Sequence, residues 1–437
     1  MFSEISALTK FINQTPALQI LISSIKKNDD DFWLVGGCLR NFLLDLPQVD
    51  IDIACSGDPT SLTQAWSAEV SGRWFWLDAK RNQSRVLLKN GLSVDFTPLR
   101  APTIIEDLQL RDFTINALAL PLDASFPESE LLDPLAGSSH LQQKLLHSCS
   151  HRSFSDDPLR MLKGVRHAVT LDFILSDSAR REIISSAHLL VNVAGERVRD
   201  ELAKILDSSH AVSGIELLID TGLLEVLFGF AAGDWERDTA VSEIKQLHGR
   251  IQDISLKAED RLSAIGISEI FSIRAMFLFA RLLKIYSPHD LSDLLHKQLR
   301  LSRNLQRLLE ELQIEPSLEL FTLATSIDGQ RRQALLVEKM EPFAYEKMLY
   351  WGVCYGHLEL SKVIKLQESF TLEQQLGRIP DLLNGRLIAS LLKGTPDTQI
   401  GIWQSRLKQA EINDEIRTSA EAIAWLENEL LFDNQES

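Results

Sequence analysis

The sequence predicts an α+β protein in which a small mixed sheet with helices is followed by a long all-α remainder. Up to about residue 120, short apolar runs of strand length recur, among them FWLVGG, VDIDIA and LSVDFTPL, and Gly, Pro, Asn and Asp separate them. Beyond about residue 140, Leu, Ile and Ala recur at intervals of three and four, which is typical of amphipathic helices. The 437 residues are too many for one ordinary core, so we expect several packed units.

The composition indicates a protein without a membrane span or a disulfide framework. No apolar run approaches the roughly 20 residues of a membrane helix, and MFSEISALTKFINQT lacks the pattern of a signal peptide, so we expect a cytoplasmic location. The cysteines Cys38, Cys55, Cys149 and Cys354 form no CxxC pair, which favours reduced thiols over a zinc site. The net charge of -16 disfavours a nucleic-acid partner, but the local distribution of charge decides this question.

The first strand ends in the pair Gly36 and Gly37, which opens the helix CLRNFLLDL. Free backbone N–H groups and the helix dipole favour an anion at such a place, and Arg40 in the first turn adds a positive charge. A triphosphate would fit here, although a glycine pair before a helix often makes only a tight turn.

The second strand, VDIDIA, carries two carboxylates one residue apart. Because side chains alternate along a strand, Asp50 and Asp52 project together while Val49, Ile51 and Ile53 face the core. A Mg²⁺ ion would resolve the repulsion between them, since it favours carboxylate oxygens together with substrate phosphates. A solvated edge strand would explain the pair alone; joined to the glycine turn, it favours metal-dependent nucleotide chemistry.

In the helical part, the segment HKQLRLSRNLQR (296–307) contains four basic residues and no acid. Lys297 precedes Arg300, Arg303 and Arg307, whose spacing of three and four predicts one helical face. A surface that follows RNA phosphates and an ordinary solvated helix face explain this pattern equally well.

Five ordered motifs in residues 33–205 carry a resemblance to a known family. They are LVGGCLRNFLL…DIDIA, EDLQLRDFTINALAL (106–120), LLDPLAGSSHL (131–141), DDPLRMLKGVRHA (156–168) and GERVRDELAKIL (195–206). They resemble the catalytic GG-x-x-R-D…DxD, RRDFTINA, DP-x-x-G-x-x-DL, EDxxR and ER-x-x-x-EL-x-KIL motifs of class II tRNA nucleotidyltransferases and the related bacterial poly(A) polymerases. A segment near the C-terminus, from GRLIASLLKG onward, is weakly similar to the same family.

The resemblance implies four domains. Residues 1–140 would form a polymerase-β-like nucleotidyltransferase head that does the chemistry, and residues 141–215 a helical neck that reads the nucleotide and binds RNA. Residues 216–312 would form a helical body with a degenerate HD-like region, and residues 313–437 a helical tail that binds tRNA.

The resemblance also implies roles for the head residues. Asp50 and Asp52 would hold Mg²⁺, with Asp95 of SVDFTPLR as a third catalytic carboxylate, although a surface acid on an edge strand is an equally good interpretation of Asp95. The glycine turn (Gly36 and Gly37) and Arg40 would face the triphosphate. Arg111 and Asp112 would contact the phosphates or the ribose, where an Arg–Asp dipeptide is otherwise often a surface ion pair.

The helix DDPLRMLKGVR would read the base. Asp157, Arg160, Lys163 and Arg166 recur at intervals of three and so lie along one face. A carboxylate accepts from the exocyclic amino group of cytosine or adenine, and a guanidinium donates to the ring acceptor beside it, which assigns this choice to Asp157 and Arg160. Lys163 and Arg166 would meet the triphosphate. An exposed salt-bridge ladder is the alternative.

The sequence departs from the family pattern at five positions: Asn41 replaces Asp, Leu110 Arg, His140 Asp, Asp156 Glu and Lys163 Arg. Lysine keeps the charge of arginine but loses its bidentate fork. Neither the DxD pair nor the Asp157–Arg160 pair is affected, so we expect an active enzyme with an altered nucleotide repertoire.

A further departure concerns the length of one loop. Only APTII (101–105) separates DFTPLR from EDLQLRDF, where full CCA-adding relatives carry a longer flexible loop that re-forms the pocket for adenosine. The analogy therefore favours an enzyme that adds two cytidines and leaves adenosine to a separate A-adding enzyme. A hydrolytic HD centre is not expected, because His248 lacks the HD pair that should follow it and His289-Asp290 stands before an ordinary helix start.

The combined prediction is a template-independent tRNA 3′-end nucleotidyltransferase that uses Mg²⁺ and adds CMP, with or without AMP, from CTP and ATP. It would bind the tRNA 3′ end and elbow. A poly(A) polymerase or an A-adding enzyme is the alternative within the class. A catalytically silent RNA-binding regulator is the alternative from another class, and the intact DxD pair argues against it.

Overall fold

The computed structural model describes residues 2–47, 50–229, 234–251, 271–286, 290–315, 330–340, 343–355, 381–392 and 397–433. The chain forms two compact units, of which the first comprises residues 1–237 with 297–300 and the second comprises residues 238–296 with 301–437. The predicted domain boundaries at 140, 215 and 312 stay predictions. Across the described ranges, no helix combines the length and the apolar character that a membrane span requires.

The first unit is α+β. Its helices are α1 (Phe2–Gln14), α2 (Pro16–Ile25), α3 (Gly37–Leu43), α4 (Thr60–Glu69), α5 (Ile104–Gln109), α6 (Gly137–Gln142), α7 (Ser153–Asp156), α8 (Leu159–Leu171), α9 (Asp177–Ser186), α10 (Gly195–Leu206), α11 (Ala211–Asp220) and α12 (Leu223–Phe228). Its strands are β1 (Phe32–Val35), β2 (Asp50–Cys55), β3 (Arg73–Asp78), β4 (Gln83–Leu87), β5 (Ser93–Pro98), β6 (Ala119–Pro121), β7 (Leu145–Leu146) and β8 (Ile174–Leu175).

The main sheet is mixed, as predicted. Among the described residues it has six strands in the order β3-β4-β5-β2-β1-β6. The pair β2 and β5 is parallel, and the other neighbours are antiparallel. The strand β3 therefore lies at one edge of the sheet, and the two strands with the predicted carboxylates lie side by side in its middle.

The two faces of this sheet are covered differently. Helix α4 packs on one face, where Trp66 contacts Phe96 edge to face and Thr63 accepts a hydrogen bond from the Trp74 indole at 3.0 Å. On the other face, Ile104 and Leu108 of α5 pack against residues of the β1–β2 half. The rest of that face is left to the polar side chains of β2, β5 and β4.

The strand β2 alternates as its sequence predicts. Ile51 and Ile53 are buried, while Asp50 is exposed and Asp52 is half-buried. Val49 lies outside the described residues.

A helical neck follows the sheet, as predicted. Helix α8 buries one face, including Met161, Leu162 and Val165, and packs against α10 and α11. The short parallel pair β7–β8 joins the start of this helical region to the turn after α8.

The second unit is helical where it is described. The helices that follow α12 are α13 (Asp234–Ile251), α14 (Ile273–Tyr286), α15 (Leu291–Asp293), α16 (Arg303–Gln313), α17 (Gln330–Met340), α18 (Ala344–Tyr355), α19 (Gly385–Leu391), α20 (Asp397–Ile412) and α21 (Ser419–Asp433). His248 is half-buried in α13, and the Asp290 side chain caps α15 by accepting from the Asp293 backbone N–H. His289 lies outside the described residues.

Candidate active site

A cleft of about 360 Å³ opens in the first unit beside the middle of the main sheet. Several predicted residues line it: Gly36, Gly37, Asp52, Arg111, Asp112, Asp157, Arg160 and Lys163. The cleft is also lined by polar residues that the sequence analysis did not single out: Arg81, Gln83, Thr97, Arg100, Asp107 and Asn116. Residues from the sheet, from α5 and from the start of α8 thus meet around one space.

Asp52 is the central carboxylate of this cleft. It is paired in register with Asp95 on the parallel neighbour β5. Burial, and then the negative charges of Asp95 and Asp50, raise the pKa of Asp52 to about 6, against the opposing charge of Arg111. A carboxylate held among other carboxylates is the setting in which a divalent cation is stabilising.

The carboxylates of Asp50 and Asp52 fit Mg²⁺ if other groups supply its remaining ligands. Asp50 and Asp52 lie on the same face of β2, and Asp50 also accepts a hydrogen bond from the Ser93 hydroxyl. Within the part of the chain that the structure describes, no three His, Cys, Asp or Glu side chains converge to hold a metal by themselves. The pair therefore fits an ion whose remaining ligands are substrate phosphates and water, as Mg²⁺ in nucleotide enzymes prefers.

The third predicted carboxylate, Asp95, is held by an arginine. Arg85 donates from Nε and Nη2 to the two carboxylate oxygens of Asp95 at 2.6 and 2.7 Å. Asp95 lies beside Asp52 but is not among the residues that line the cleft. Its catalytic role stays a prediction.

Gly36 allows two charged side chains to approach each other at the floor of the cleft. Its φ of 74° lies in the left-handed region, and a Cβ placed on it would be 3.2 Å from Asp52 Oδ2 and 3.3 Å from Arg111 Nη1. A side chain at this position would be strained and would crowd both groups. The glycine turn thus brings the Asp52 carboxylate and the Arg111 guanidinium together.

The prediction that Arg40 faces the triphosphate differs from the structure. Arg40 is buried, and its Nη1 donates to Asn116 Oδ1 at 2.7 Å while its Nη2 donates to Asn41 Oδ1 at 2.8 Å. Asn41, which replaces the family aspartate, thus serves as an acceptor for the buried guanidinium. Arg40 points into the interior because these two amide oxygens satisfy it there.

Arg111 is oriented by a buried carboxylate that the sequence analysis missed. Asp107 of α5 accepts from Arg111 Nη2 at 3.0 Å and from Arg100 Nε at 2.9 Å, and both arginines line the cleft. Burial acts to raise the pKa of Asp107, but the hydrogen bonds and charges of Arg100 and Arg111 lower it below its usual value. The signal was present in EDLQLRDF, where Asp107 and Arg111 stand one helical turn apart.

Asp112 faces the cleft from within a polar network. Its Oδ1 accepts from Asn116 Nδ2 at 3.0 Å and from the Phe113 backbone N–H at 2.8 Å. Burial opposes ionisation, but the charge of Lys163, the nearby His167 and these hydrogen bonds hold the pKa of Asp112 well below its usual range. The site therefore favours the charged form of Asp112 beside Lys163.

The predicted base-reading residues enter the cleft from the neck. Asp157 precedes α8, whereas Arg160 and Lys163 lie in its first two turns. Arg160 donates to the backbone oxygens of Leu110 at 2.8 Å and Arg111 at 3.2 Å, and Asp157 accepts from Arg197 at 3.1 Å. The structure thus places the Asp157 carboxylate and the Arg160 guanidinium on the same wall of the cleft, and hydrogen bonds to neighbouring residues hold each of them.

Arg166, predicted to meet the triphosphate, lies elsewhere. Its Nε donates at 2.6 Å to Glu201, a buried carboxylate of α10, and its Nη2 lies 3.3 Å from the ring of the buried His167. It is not among the residues that line the cleft. The buried Glu201 carboxylate is stabilised by a cation. Arg166 therefore links α8 to α10 within the neck instead of facing the nucleotide.

The predicted basic face is also not formed as expected. Arg300 has a φ of 49°, and α16 begins at Arg303, so these residues do not share one helix. Lys297 and Arg300 belong to the first unit, where Arg300 pairs with Glu196 at 2.8 Å. Arg303 and Arg307 are exposed at helical spacing on α16 of the second unit. An RNA-binding role of these four residues stays a prediction.

Comparison with known protein families gives two matches. A family profile described as the poly A polymerase head domain matches residues 32–147. A second profile, described as a probable RNA and SrmB- binding site of polymerase A, matches residues 172–232. The first match contains the carboxylate strands, and the second begins just after α8.

Several curated proteins are similar over long stretches. A CC-adding tRNA nucleotidyltransferase of Geobacter sulfurreducens is 34% identical over 96% of this chain and 96% of its own length. An A-adding tRNA nucleotidyltransferase of Deinococcus radiodurans is 28% identical over 90% of this chain and 94% of its own length. A CCA-adding enzyme of a Geobacillus species is 29% identical over 46% of this chain and 52% of its own length.

Solved structures of similar fold cover most of the chain. A CCA-adding enzyme in complex with CTP has a TM-score of 0.69 at 20% identity and covers 95% of this chain and 96% of its own. The Thermotoga maritima CCA-adding enzyme complexed with tRNA has a TM-score of 0.64 at 21% identity, with the same two coverages. These likenesses show the fold, a polymerase-β-like head followed by a helical region.

Proposed function

The chain belongs to the family of tRNA nucleotidyltransferases and bacterial poly(A) polymerases, and from this premise we propose that it adds nucleotides to the 3′ end of tRNA without a template. The observation that carries the proposal is the cleft, in which Asp52 of the sheet, Arg111 of the segment after α5, and Asp157, Arg160 and Lys163 of the neck meet. This cleft suits a nucleoside triphosphate, because it combines the Asp52 carboxylate, several cationic side chains and the Asp157–Arg160 pair. The cytoplasm is the proposed location.

The substrates proposed are tRNA and CTP, with two cytidines as the product and ATP as the substrate of a separate A-adding enzyme. The connection between β5 and α5 supports this choice. It is short, and it ends in a capping box in which the Thr103 side chain accepts from the Glu106 N–H while Glu106 accepts from the Thr103 N–H. A fixed, short connection leaves little freedom to re-form the pocket for adenosine.

Mg²⁺ is the proposed cofactor, with Asp50 and Asp52 as its protein ligands. When bound there, it would lower the pKa of the primer hydroxyl and neutralise charge on the leaving pyrophosphate. Arg100, Arg111 and Lys163 would bind the phosphates and orient the α-phosphorus toward the primer. The 3′ hydroxyl of the primer gives up its proton to solvent, its oxygen bonds to that phosphorus, and the bond to the bridging oxygen breaks with release of pyrophosphate.

The choice of base is proposed to lie with Asp157 and Arg160. Asp157 would accept from the exocyclic amino group, and Arg160 would donate to the ring acceptor beside it. Arg160 Nη2 donates to Leu110 O, and its Nη1 donates to Arg111 O and to Ser153. These bonds hold the guanidinium at the cleft wall and leave the Nε–H and one Nη2–H to face the base. The pocket is thus preorganised to prefer cytosine and adenine over uracil and guanine.

The decisive experiment offers each labelled nucleotide singly. The purified protein is incubated with Mg²⁺ and a tRNA that lacks its CCA end. We expect CMP addition that stops at two residues. Addition of AMP alone, or of a long A tail, would replace the CC-adding proposal by the A-adding or poly(A) alternative. If no nucleotide is incorporated, the catalytically silent RNA-binding regulator would be the remaining alternative.

The variant Asp52→Asn tests the role of the carboxylate pair. We expect it to abolish addition while tRNA affinity in an equilibrium binding assay stays within about twofold. Because burial and neighbouring carboxylates disfavour the charged form of Asp52, the neutral variant should unfold at the same or a higher temperature. Asp220→Asn, at an exposed residue of α11 that pairs with Arg180, is the matched control and should retain addition.

A further inference from the structure

The edge of the main sheet exposes an unusual set of apolar side chains. Phe75, Trp76 and Leu77 of β3 and Leu87 of β4 are between 37% and 46% exposed. The edge strand of a sheet normally carries charges or is covered, because bare apolar edges associate with other chains. We therefore expect an exposed apolar surface of this kind, next to an active-site cleft, to bind a partner.

This edge continues the row of carboxylates across the sheet. Phe75 pairs in register with Arg85, Arg85 with Asp95, and Asp95 with Asp52. Residues that pair directly on neighbouring strands project to the same face, and the Arg85–Asp95 ion pair at 2.6 Å shows this. Phe75 therefore lies on the carboxylate face, two strand spacings or roughly 10 Å from Asp95.

The edge is also positively charged. Residues 73–90, from Arg73 to Asn90, contain five basic residues and one acid, and Asp95 outside this range pairs with Arg85, so the edge keeps a net charge of about +3 in a chain whose net charge is -16. Two residues of the connecting segment and β4, Arg81 and Gln83, line the cleft itself. The basic, aromatic edge and the cleft are thus one continuous surface.

We propose that this edge, residues 73–90, binds the single-stranded 3′ end of the RNA substrate, and that the ring of Phe75 stacks on a base of that end. Cationic side chains beside an exposed aromatic ring are what single-stranded nucleic acid recognises, since phosphates meet the charge and bases meet the ring. The neck wall receives the incoming nucleotide from the opposite side of Asp52. The primer then reaches the carboxylates from β3, with its terminal hydroxyl toward Asp52. This inference rests on the proposed function.

The test compares Phe75→Ala with Phe75→Trp, with Leu46→Ala as the control. Leu46 is an exposed apolar residue of the segment after α3 that does not line the cleft. The Michaelis constants for CTP and for a tRNA that lacks its CCA end are measured with Mg²⁺. We expect Phe75→Ala to raise the KM for tRNA about 5- to 100-fold, as loss of one stacked base does, with the KM for CTP within twofold. Phe75→Trp and Leu46→Ala should stay within about threefold of the wild type.

Several results would overturn the proposal. They are an unchanged KM for tRNA in Phe75→Ala, an equal rise in Leu46→Ala, and a loss in Phe75→Trp as large as in Phe75→Ala. If the edge instead pairs with a second copy of the chain, wild type would sediment as a dimer and Phe75→Ala as a monomer, with an unchanged KM for tRNA.

A binding measurement separates this proposal from the function on which it rests. The affinity of the same tRNA for wild type and Phe75→Ala is measured without nucleotide. If the wild type incorporates no nucleotide but Phe75→Ala weakens tRNA binding, the proposed function fails while the RNA surface stands. If the wild type incorporates CMP and Phe75→Ala binds tRNA as tightly as it does, the surface fails alone.

Discussion

At the scale of single residues, the cleft is organised by charged groups whose partners are fixed. Asp107, with 2% of its surface exposed, holds Arg100 and Arg111 on the cleft wall. Asn116 links the buried Arg40 to Asp112. Groups held in this way lose little conformational entropy when a charged ligand arrives, which is the physical content of a preorganised site.

The Arg100–Asp107–Arg111 cluster makes a prediction. Asp107→Asn removes the shared negative charge, so both guanidinium groups lose their orientation, and we expect the KM for CTP to rise roughly tenfold with an unchanged preference for CTP over UTP. Steady-state kinetics with each nucleotide measures this. The control Asp172→Asn breaks an exposed ion pair with Lys144 and should change neither quantity. An unchanged KM in Asp107→Asn would show that the arginines are held without Asp107.

The same residue should contribute to the pH dependence of stability. The folded-state pKa of Asp107 is depressed, so its contribution is present above the unfolded pKa of about 4 and is lost as the pH falls through the folded value. The difference in free energy of unfolding between wild type and Asp107→Asn should therefore shrink below about pH 4. A difference that stays constant on acidification would contradict this assignment.

At the scale of elements, the short connection before α5 fixes the helix that carries Asp107. Thr103 and Glu106 form a reciprocal cap at its start, and Ile104 and Leu108 bury its apolar face against the sheet. A six-residue helix has little stability of its own, so the cap and the packing hold it together. The position of Arg100 and Arg111 in the cleft depends on this element.

The cap can be removed without touching the cleft. Thr103→Ala should lower the free energy of unfolding by about 1 kcal/mol, whereas Thr103→Ser keeps the hydroxyl and should stay within a few tenths. Urea unfolding of the two variants measures the difference. If the cap also holds the nucleotide pocket, the KM for CTP should rise in Thr103→Ala and not in Thr103→Ser. Equal stability of both variants would mean that packing alone determines α5.

At the scale of the whole molecule, a strongly acidic chain contains several local clusters of basic residues. The edge 73–90 is one of them, and the cleft with Arg100, Arg111 and Lys163 is another. A third is the exposed pair Arg303 and Arg307 on α16. Because phosphate binding follows local charge, a net charge of -16 is compatible with an RNA partner while discouraging contacts elsewhere.

The pair on α16 gives a prediction on tRNA binding. The double variant Arg303→Gln and Arg307→Gln should weaken tRNA binding and reduce the slope of log affinity against log salt by about 2, roughly one for each lost phosphate contact. Binding titrations at several salt concentrations measure the slope. The control is the double variant Lys10→Gln and Lys27→Gln, which removes two exposed charges of the head, one on α1 and one just after α2. An unchanged slope in the arginine variant would assign these residues to an ordinary solvated face.

In this chain, a prediction from local sequence pattern was correct where the element formed as expected and wrong where the backbone left it. The alternation of Asp50, Ile51, Asp52 and Ile53 depends only on the period of a strand, and it was predicted correctly. The spacing of Arg300, Arg303 and Arg307 predicted one helical face, but Arg300 adopts a left-handed conformation outside α16. A periodic pattern places side chains correctly only where the helix actually runs.

The sequence by itself determined the fold class and the motif residues that reach the cleft, because strand alternation and motif order are local properties of the chain. Only the tertiary structure decided where the arginines point: Arg40 turns to Asn116 and Arg166 to Glu201, 76 and 35 residues away. It also decided that Phe75 stands in the row of Asp95 and Asp52. The physical reason is that a buried charge turns toward a buried polar partner, and the packing of helices and the pairing of strands bring together residues whose separation no sequence period encodes.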